Sequence, residues 1–206
     1  MEALSERTLS VKDAVLTRRS IRKFKPDPIP RERLEEILSL ALKAPSSNNL
    51  QPWRVVVIQN AEVKERLREA ANNQAQVSSA PAVLVIYSDM KDTLEHVEEV
   101  LHPGFSEEQK QARAASFRKA WEGQSDEERE NWGKAQGFIL LGFLMLIARS
   151  FGYDTVPMGG FNAARVKEVL GLPSHVAITA LLPMGVADEA GYEHHRHPLG
   201  RVVQWQ

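Results

Sequence analysis

The segment formed by residues 138–148 constrains the fold more than any other part of the sequence, because its eleven residues carry no charged side chain. Ahead of it, Ser125 and Glu128 form a capping-box pattern that opens a helix, and Gly152 can end that helix in the left-handed conformation. Spanning a bilayer takes about twenty apolar residues, so this shorter segment predicts a buried core helix. A helix that is apolar on all sides must be covered on all sides, which either a partner subunit or a monomer with enough packed layers can provide.

Shorter apolar patterns on either side of this helix predict an α+β fold. Apolar, partly β-branched runs indicate buried strands at residues 55–58, 83–87 and 176–186. Helical spacing predicts a helix that ends at Ala44, because Pro45 disfavours helical geometry in the residue before it. Asn162 and Gly171 are the expected caps of a later helix. About four strands interleaved with helices correspond to a mixed sheet flanked by helices, in a single domain of residues 1–206.

The stretch from about residue 91 to residue 131 departs from this alternation of strands and helices, because charged helix formers dominate there. Ser106 and Gln109 form a second capping-box pattern within this stretch. We interpret it as a helical excursion packed outside the core. Its helices either serve as solvated scaffold or build a substrate lid that carries Phe117 and Trp121.

Composition excludes several classes of function. The chain has 26 basic and 27 acidic residues and a formal net charge of -1, so no bulk field draws it to nucleic acid or a membrane surface. It contains no cysteine, which excludes thiolate chemistry and leaves any redox reaction to a borrowed cofactor. The first ten residues lack the pattern of a secretory signal, so we expect a cytoplasmic protein. His194, His195 and His197 have only Glu193 at a ligand-like spacing, and we expect no metal site there.

A basic cluster, Arg18-Arg19-Ser20-Ile21-Arg22, follows a short helix that Ser10 can cap. Guanidinium groups bind phosphate oxygens in a bidentate manner, and the serine hydroxyl adds a neutral donor. The cluster therefore suits one phosphate group. The same pattern is equally well interpreted as a basic helix terminus, where the charges complement the dipole of the helix.

Three further segments have the chemistry of a binding loop. They are Pro45-Ser46-Ser47-Asn48-Asn49-Leu50-Gln51-Pro52, Asn72-Asn73-Gln74-Ala75-Gln76 and Pro157-Met158-Gly159-Gly160. Amide side chains offer donors and acceptors to a polyol chain or a heteroaromatic ring edge, and paired glycines let a flat ligand approach the backbone. Taken singly, each segment also fits a plain polar turn or a frayed helix end.

In combination these segments are specific. The basic cluster followed at this distance by the proline-flanked amide loop resembles the FMN-dependent nitroreductase family. The resemblance continues through the amides at 73–76, the long apolar helix, the glycine pair and the closing Pro198-Leu199. It covers nearly the whole chain except the helical excursion.

The resemblance implies an intertwined α+β homodimer with two FMN molecules at its interface. Arg18, Arg19, Ser20 and Arg22 would then hold the phosphate and ribityl chain, with Arg196 added from the tail. The flavin would also be contacted by three further groups of residues: Pro45, Ser46, Ser47 and Asn49 of the other subunit, Asn73 and Gln76 at the ribityl or ring edge, and Pro157, Met158, Gly159 and Gly160 near the isoalloxazine.

The implied activity is an NAD(P)H-dependent flavin oxidoreductase that reduces nitroaromatics or quinones by ping-pong hydride transfer. Flavin N5 would carry the chemistry, and no catalytic side chain is expected. A flavoprotein that binds or stores FMN without turnover is the alternative from another class, and a helical interaction protein without a cofactor is a third.

Overall fold

A computed structural model of the chain describes residues 8–206. Residues 1–7, which form most of the segment that argues against a secretory signal, lie outside the described residues. The strands are β1 (Trp53–Ile58), β2 (Ala82–Ser88), β3 (Asp154–Thr155) and β4 (Ala177–Gly185). The helices are α1 (Val11–Thr17), α2 (Arg31–Ala41), α3 (Ala61–Ala70), α4 (Ala75–Ser79), α5 (Met90–Glu95), α6 (Glu107–Ala120), α7 (Asp126–Ser150), α8 (Ala163–Leu170) and α9 (Leu199–Val202), with 3-10 turns at Ser47–Asn49 and Val97–Val100.

The strands form one sheet in the order β1-β2-β4-β3, and neighbouring strands run antiparallel. β2 lies between β1 and β4, with Trp53 opposite Ser88 and Ala82 opposite Met184. An isolated bridge between Ser20 and Thr155 adds a parallel contact beside β3. This bridge places the basic cluster at the edge of the sheet.

Alternate residues of β2 enter two different cores. Leu84 and Ile86 pack with apolar residues of α2 and α7 on one face of the sheet. Val83 and Val85 pack with residues of α3, α4 and α8 on the other face. A strand that is buried on both faces needs a continuous apolar run rather than an alternating one, which explains the sequence of β2. The α+β fold with helices on both sides of the sheet is therefore confirmed.

Glycines bring α7 unusually close to the sheet. A Cβ atom built on Gly133 would lie 2.1 Å from the Ser88 hydroxyl oxygen, and one built on Gly137 would lie 2.4 Å from the Thr179 hydroxyl oxygen. Any larger residue at either position would push the helix away from β2 and β4. By length and composition alone, α7 could also cross a membrane. Its packing on the sheet is that of a core helix.

Most local predictions are confirmed, and two require correction. Both capping boxes form, Asn162 and Gly171 cap α8, and Gly152 has a left-handed φ of 84° after α7. However, α2 ends at Ala41 rather than at residue 44, because the chain turns at Leu42 and Lys43 before Pro45 is reached. The flanking prolines would favour an extended amide loop, but Asn48, Asn49 and Gln51 have positive φ angles, so the loop is folded.

One surface of the single chain remains apolar and open. Phe138 and Phe143 of α7 are 51% and 38% exposed, and Val11, Val15 and Leu16 of α1 are also exposed. The tail after β4 leaves Leu199, Val202 and Trp205 uncovered as well. The single chain therefore leaves part of its long helix uncovered, which favours the first of the two ways of covering it, a partner subunit.

Candidate functional site

The basic cluster is anchored by its backbone. Because α1 ends at Thr17, residues 18–22 run as an extended segment beside β3, and the Ile21 amide donates to the Thr155 carbonyl at 3.2 Å. Ile21 is fully buried, whereas Arg18, Arg19 and Ser20 are only half-buried. The cluster therefore holds polar groups at a fixed position on the rim of the sheet.

Three guanidinium groups meet there. Burial and the like charges of Arg196 and Arg19 lower the pKa of Arg18. Within residues 8–206 no carboxylate forms an ion pair with Arg18, Arg19 or Arg196. Asp154 lies near enough to favour the charged form of Arg18, but Arg149 already binds its carboxylate at 2.9 and 3.0 Å. Such a cluster is stabilised by an anion that accepts from several guanidinium groups.

The tail brings Arg196 to this place. His194 Nε2 lies 2.7 Å from the Arg18 carbonyl oxygen and 3.3 Å from Arg19 Nη1. Arg19 Nη1 also donates to the carbonyls of Leu16 and Arg18, so Arg19 caps the end of α1 as well. The helix-terminus interpretation of the cluster thus holds for Arg19. The Arg22 side chain is exposed, and the Arg22 amide donates to Glu189 Oε1 at 2.6 Å.

The amides at 72–76 and the glycine pair form a second wall that continues from the first. The Gly160 carbonyl accepts from Asn72 Nδ2 at 3.1 Å and from Gln74 Nε2 at 3.0 Å. The buried Gln76 donates to Gln74 and contacts the Met158 sulfur at 3.7 Å. Sequence reasoning chose Asn73 and Gln76 and missed Asn72 and Gln74, although all four stand in the same amide run.

Residues 154–160 connect the two walls. Thr155 pairs with Ser20, and Met158 pairs with Leu181 of β4 before the chain reaches Gly160. Pro157, Gly159 and Gly160 are exposed. A Cβ atom on Gly159 would meet nothing within 4 Å, so a broad face lies open here. Arg18, Ser20, Gln76 and the glycine pair therefore line one continuous edge of a single chain.

The loop that carries Pro45, Ser46, Ser47 and Asn49 does not join this edge. The Ser47 amide donates to Gln136 of α7 at 2.9 Å, and Asn49 Nδ2 donates to the Val100 carbonyl at 2.9 Å. The Ser46 hydroxyl accepts from the Gln51 amide at 2.9 Å. Within one chain, the described contacts of this loop are with α7 and the helical excursion.

The excursion packs on that loop. Phe117 of α6 contacts the cluster of Leu50, Val97 and Ala114, and it lines a groove of about 560 Å³ together with Asn48 and Asn49. Trp121 instead packs edge-on against Trp132, with ring centroids 4.9 Å apart. The two aromatic residues therefore differ in surroundings, since only Phe117 adjoins the amide loop.

Comparisons with known proteins identify the family. A protein of Thermus thermophilus named NADH dehydrogenase is 48% identical over 198 residues, which cover 96% of this chain and 97% of the relative. Bacillus subtilis YdgI, named as an NAD(P)H nitroreductase, is 34% identical over 92% of this chain and 94% of its own length. A solved structure from Exiguobacterium sibiricum 255-15, assigned to a nitroreductase in complex with FMN, is 30% identical, covers 98% of this chain and 100% of its own, and has a TM-score of 0.88.

A family model described as the nitroreductase family matches residues 15–186, from α1 to the end of β4. The matched region contains the basic cluster, the amide loop and the glycine pair, whereas Arg196 lies beyond it. With this match and these relatives, the chain belongs to the nitroreductase family.

Proposed function

We propose that the chain is an FMN-dependent oxidoreductase that transfers electrons from NADH or NADPH to small electron-poor acceptors. The observation that carries this proposal is that the charges of Arg19 and Arg196 act on Arg18 while no carboxylate of residues 8–206 pairs with any of the three. The names of the two relatives support the nicotinamide donor, and the FMN in the Exiguobacterium structure supports the cofactor.

The residues present fit FMN. Its phosphate would accept from the guanidinium groups of Arg18 and Arg196 and from the Ser20 hydroxyl, which relieves the repulsion between the arginines. Its ribityl chain or ring edge would face Asn73 and Gln76. The exposed backbone of residues 157–160 offers a flat surface for the ring, since no Cβ atom stands at Gly159.

A second copy of the chain would complete the site. Pro45, Ser46, Ser47 and Asn49 lie at the α7 and excursion side of their own chain, so they reach the flavin only if another subunit supplies them. The open apolar surface of α1, α7 and the tail provides the means of association. We therefore propose a homodimer with two shared FMN sites. We also propose that the protein is located in the cytoplasm.

The bound flavin supplies hydride acceptance and donation at its N5 atom. The chain's task is to hold the phosphate, to present the backbone of residues 157–160 to the ring and to leave one face open. No side chain near Gly159 needs to change its protonation state during hydride transfer. Donor and acceptor then use the same face in turn, which implies ping-pong kinetics, and nitroaromatics and quinones are the expected acceptors.

Two measurements on the purified protein test this function. We expect flavin absorbance in the visible spectrum and steady oxidation of NADH or NADPH with menadione or a nitroaromatic, with parallel lines in double-reciprocal plots at several fixed acceptor concentrations. Bound flavin without turnover would instead favour a non-catalytic FMN-binding or storage protein. A protein that neither carries nor takes up FMN would refute the proposal as a whole.

A further inference from the structure

Three potential metal ligands from distant parts of the sequence meet at the end of β2. Asp89 follows β2 and caps α5, Glu130 lies in the second turn of α7, and His175 precedes β4. Ligand atoms of the three side chains all lie within 4.8 Å of one another. The site is remote from the basic cluster, because Ser88 pairs with the first residue of β4 whereas Asp154 pairs with its last.

The groups that contact the two carboxylates are neutral donors and one imidazole. Glu130 is 3% exposed, and its carboxylate accepts from two neutral donors, the Met90 amide at 2.7 Å and the Ser88 hydroxyl. Asp89 Oδ1 lies 3.0 Å from His175 Nε2 and accepts from the Asp92 amide at 3.0 Å. Within residues 8–206 no lysine or arginine forms an ion pair with Asp89 or Glu130. Buried carboxylates are normally paired with a cation or coordinate a metal.

Helix packing fixes this geometry. Gly133 follows Glu130 by one turn of α7, and its missing side chain lets the helix approach Ser88 so closely that a Cβ atom would stand 2.1 Å from the hydroxyl oxygen. Glu130 is thereby pressed against the end of β2. The carboxylate is therefore positioned by the core and not by a flexible surface side chain.

An imidazole nitrogen with carboxylate oxygens is a donor set that Zn²⁺ binds, often with water as the fourth ligand. Tetrahedral zinc–ligand distances of about 2.0–2.2 Å put ligand atoms about 3.5 Å apart, so side-chain movements of about 1 Å would bring the three ligands together. Glu130 and His175 also line a groove of about 530 Å³ that extends to Gly159, so an ion would enter beside the proposed flavin ring face. We propose that Asp89, Glu130 and His175 bind a divalent cation of the Zn²⁺ type that ties α7 and the excursion to the sheet.

Zinc binding to the flavin-loaded protein tests this proposal. The protein is stripped with a chelator, dialysed and equilibrated with ZnCl2 at micromolar free metal. Bound zinc is then counted by mass spectrometry of the digested protein, and the Tm is recorded with and without zinc. The informative variants are His175→Gln and Glu130→Gln. His96→Gln is the matched control, because His96 forms a comparable exposed pair with Asp92 at 3.1 Å.

We expect the wild type and His96→Gln to bind one zinc per chain. In His175→Gln and Glu130→Gln the affinity for zinc should fall at least about tenfold, so that the bound zinc is lost. Zinc should raise the Tm of the first two proteins only. Equal zinc content in wild type and His175→Gln would place the metal at another site and overturn the proposal, as would a wild type that retains none. If Glu130→Gln fails to fold, His175→Gln decides alone. FMN content, measured on the same samples, tests the proposed function separately.

Discussion

Replacing Arg18 with alanine should weaken FMN binding by an amount that follows from its surroundings. Arg18 is half-buried and stands beside Arg19 and Arg196 without an ion pair, so a bound phosphate would be its main source of compensating charge. A hydrogen bond to a charged group contributes about 1.5 to 3 kcal/mol. The Kd for FMN should therefore rise by roughly 10- to 150-fold.

The same substitution should leave the protein without FMN at least as stable as the wild type. Removing one of three neighbouring guanidinium groups relieves repulsion that burial strengthens. The Tm of apo Arg18→Ala should thus equal or exceed that of the wild-type apoprotein, while the increase in Tm on adding FMN becomes smaller. A merely structural role for Arg18 predicts the opposite result, a lower Tm of the apoprotein.

Titration of apoprotein with FMN, followed by quenching of flavin fluorescence, gives the Kd directly. Arg31→Ala is the matched control, because Arg31 is exposed and pairs only with Glu35 on α2. Arg22→Ala is a useful third variant, since the family resemblance assigns Arg22 to the phosphate whereas its side chain is exposed here. An unchanged Kd in Arg18→Ala, or an equal loss in Arg31→Ala, would refute the phosphate assignment.

Three other predictions concern assembly, packing and selectivity. Sedimentation at micromolar protein should give twice the chain mass of 23.1 kDa, and a monomer that retains FMN would contradict a shared site. Gly137→Ala should destabilise the protein by about 1 to 3 kcal/mol in urea unfolding, because its methyl group would overlap a strand hydroxyl. Thr179→Ala, which removes that hydroxyl, should restore part of the loss in a Gly137→Ala/Thr179→Ala double variant; strictly additive losses would contradict the packing argument. Phe117→Ala should change kcat/KM unequally across quinones and nitroaromatics, whereas Trp121→Ala should lower stability alone; a uniform change in the Phe117 variant would rule out a lid.

The parts of the fold that sequence predicts to the residue are those set by local chemistry. Ser106 and Ser125 each accept from a backbone amide three residues ahead, so their capping boxes need no tertiary information. The end of α2 was wrong by three residues, because the proline rule gives only the last position a helix can reach. β3 was not predicted, since two residues paired with β4 leave no periodic pattern in the sequence.

The candidate site likewise has one part that local sequence predicts and another part that it does not. The arginines of the basic cluster are adjacent in sequence, and their chemistry alone suggests a phosphate. The position of Arg196 near the basic cluster could be predicted only from the family resemblance. The contact of His194 with the Arg18 carbonyl joins residues 176 positions apart, which no local pattern reveals. Asp89, Glu130 and His175 gave no sequence signal at all, since each belongs to a different element and none stands at a ligand-like spacing.

The position of β2 also sets the order in which the chain can fold. Ala82 pairs with Met184, roughly a hundred residues later, so the central ladder of the sheet forms only after the excursion and α7 have been made. Closing so long a loop slows folding. Until β4 arrives, the apolar run from Val83 to Ile86 has one unpaired edge, and unpaired apolar edges are prone to aggregate. β1 pairs with the other edge of β2 across a shorter connection that contains α3 and α4, which leaves β4 as the strand whose late docking governs the yield of folded protein.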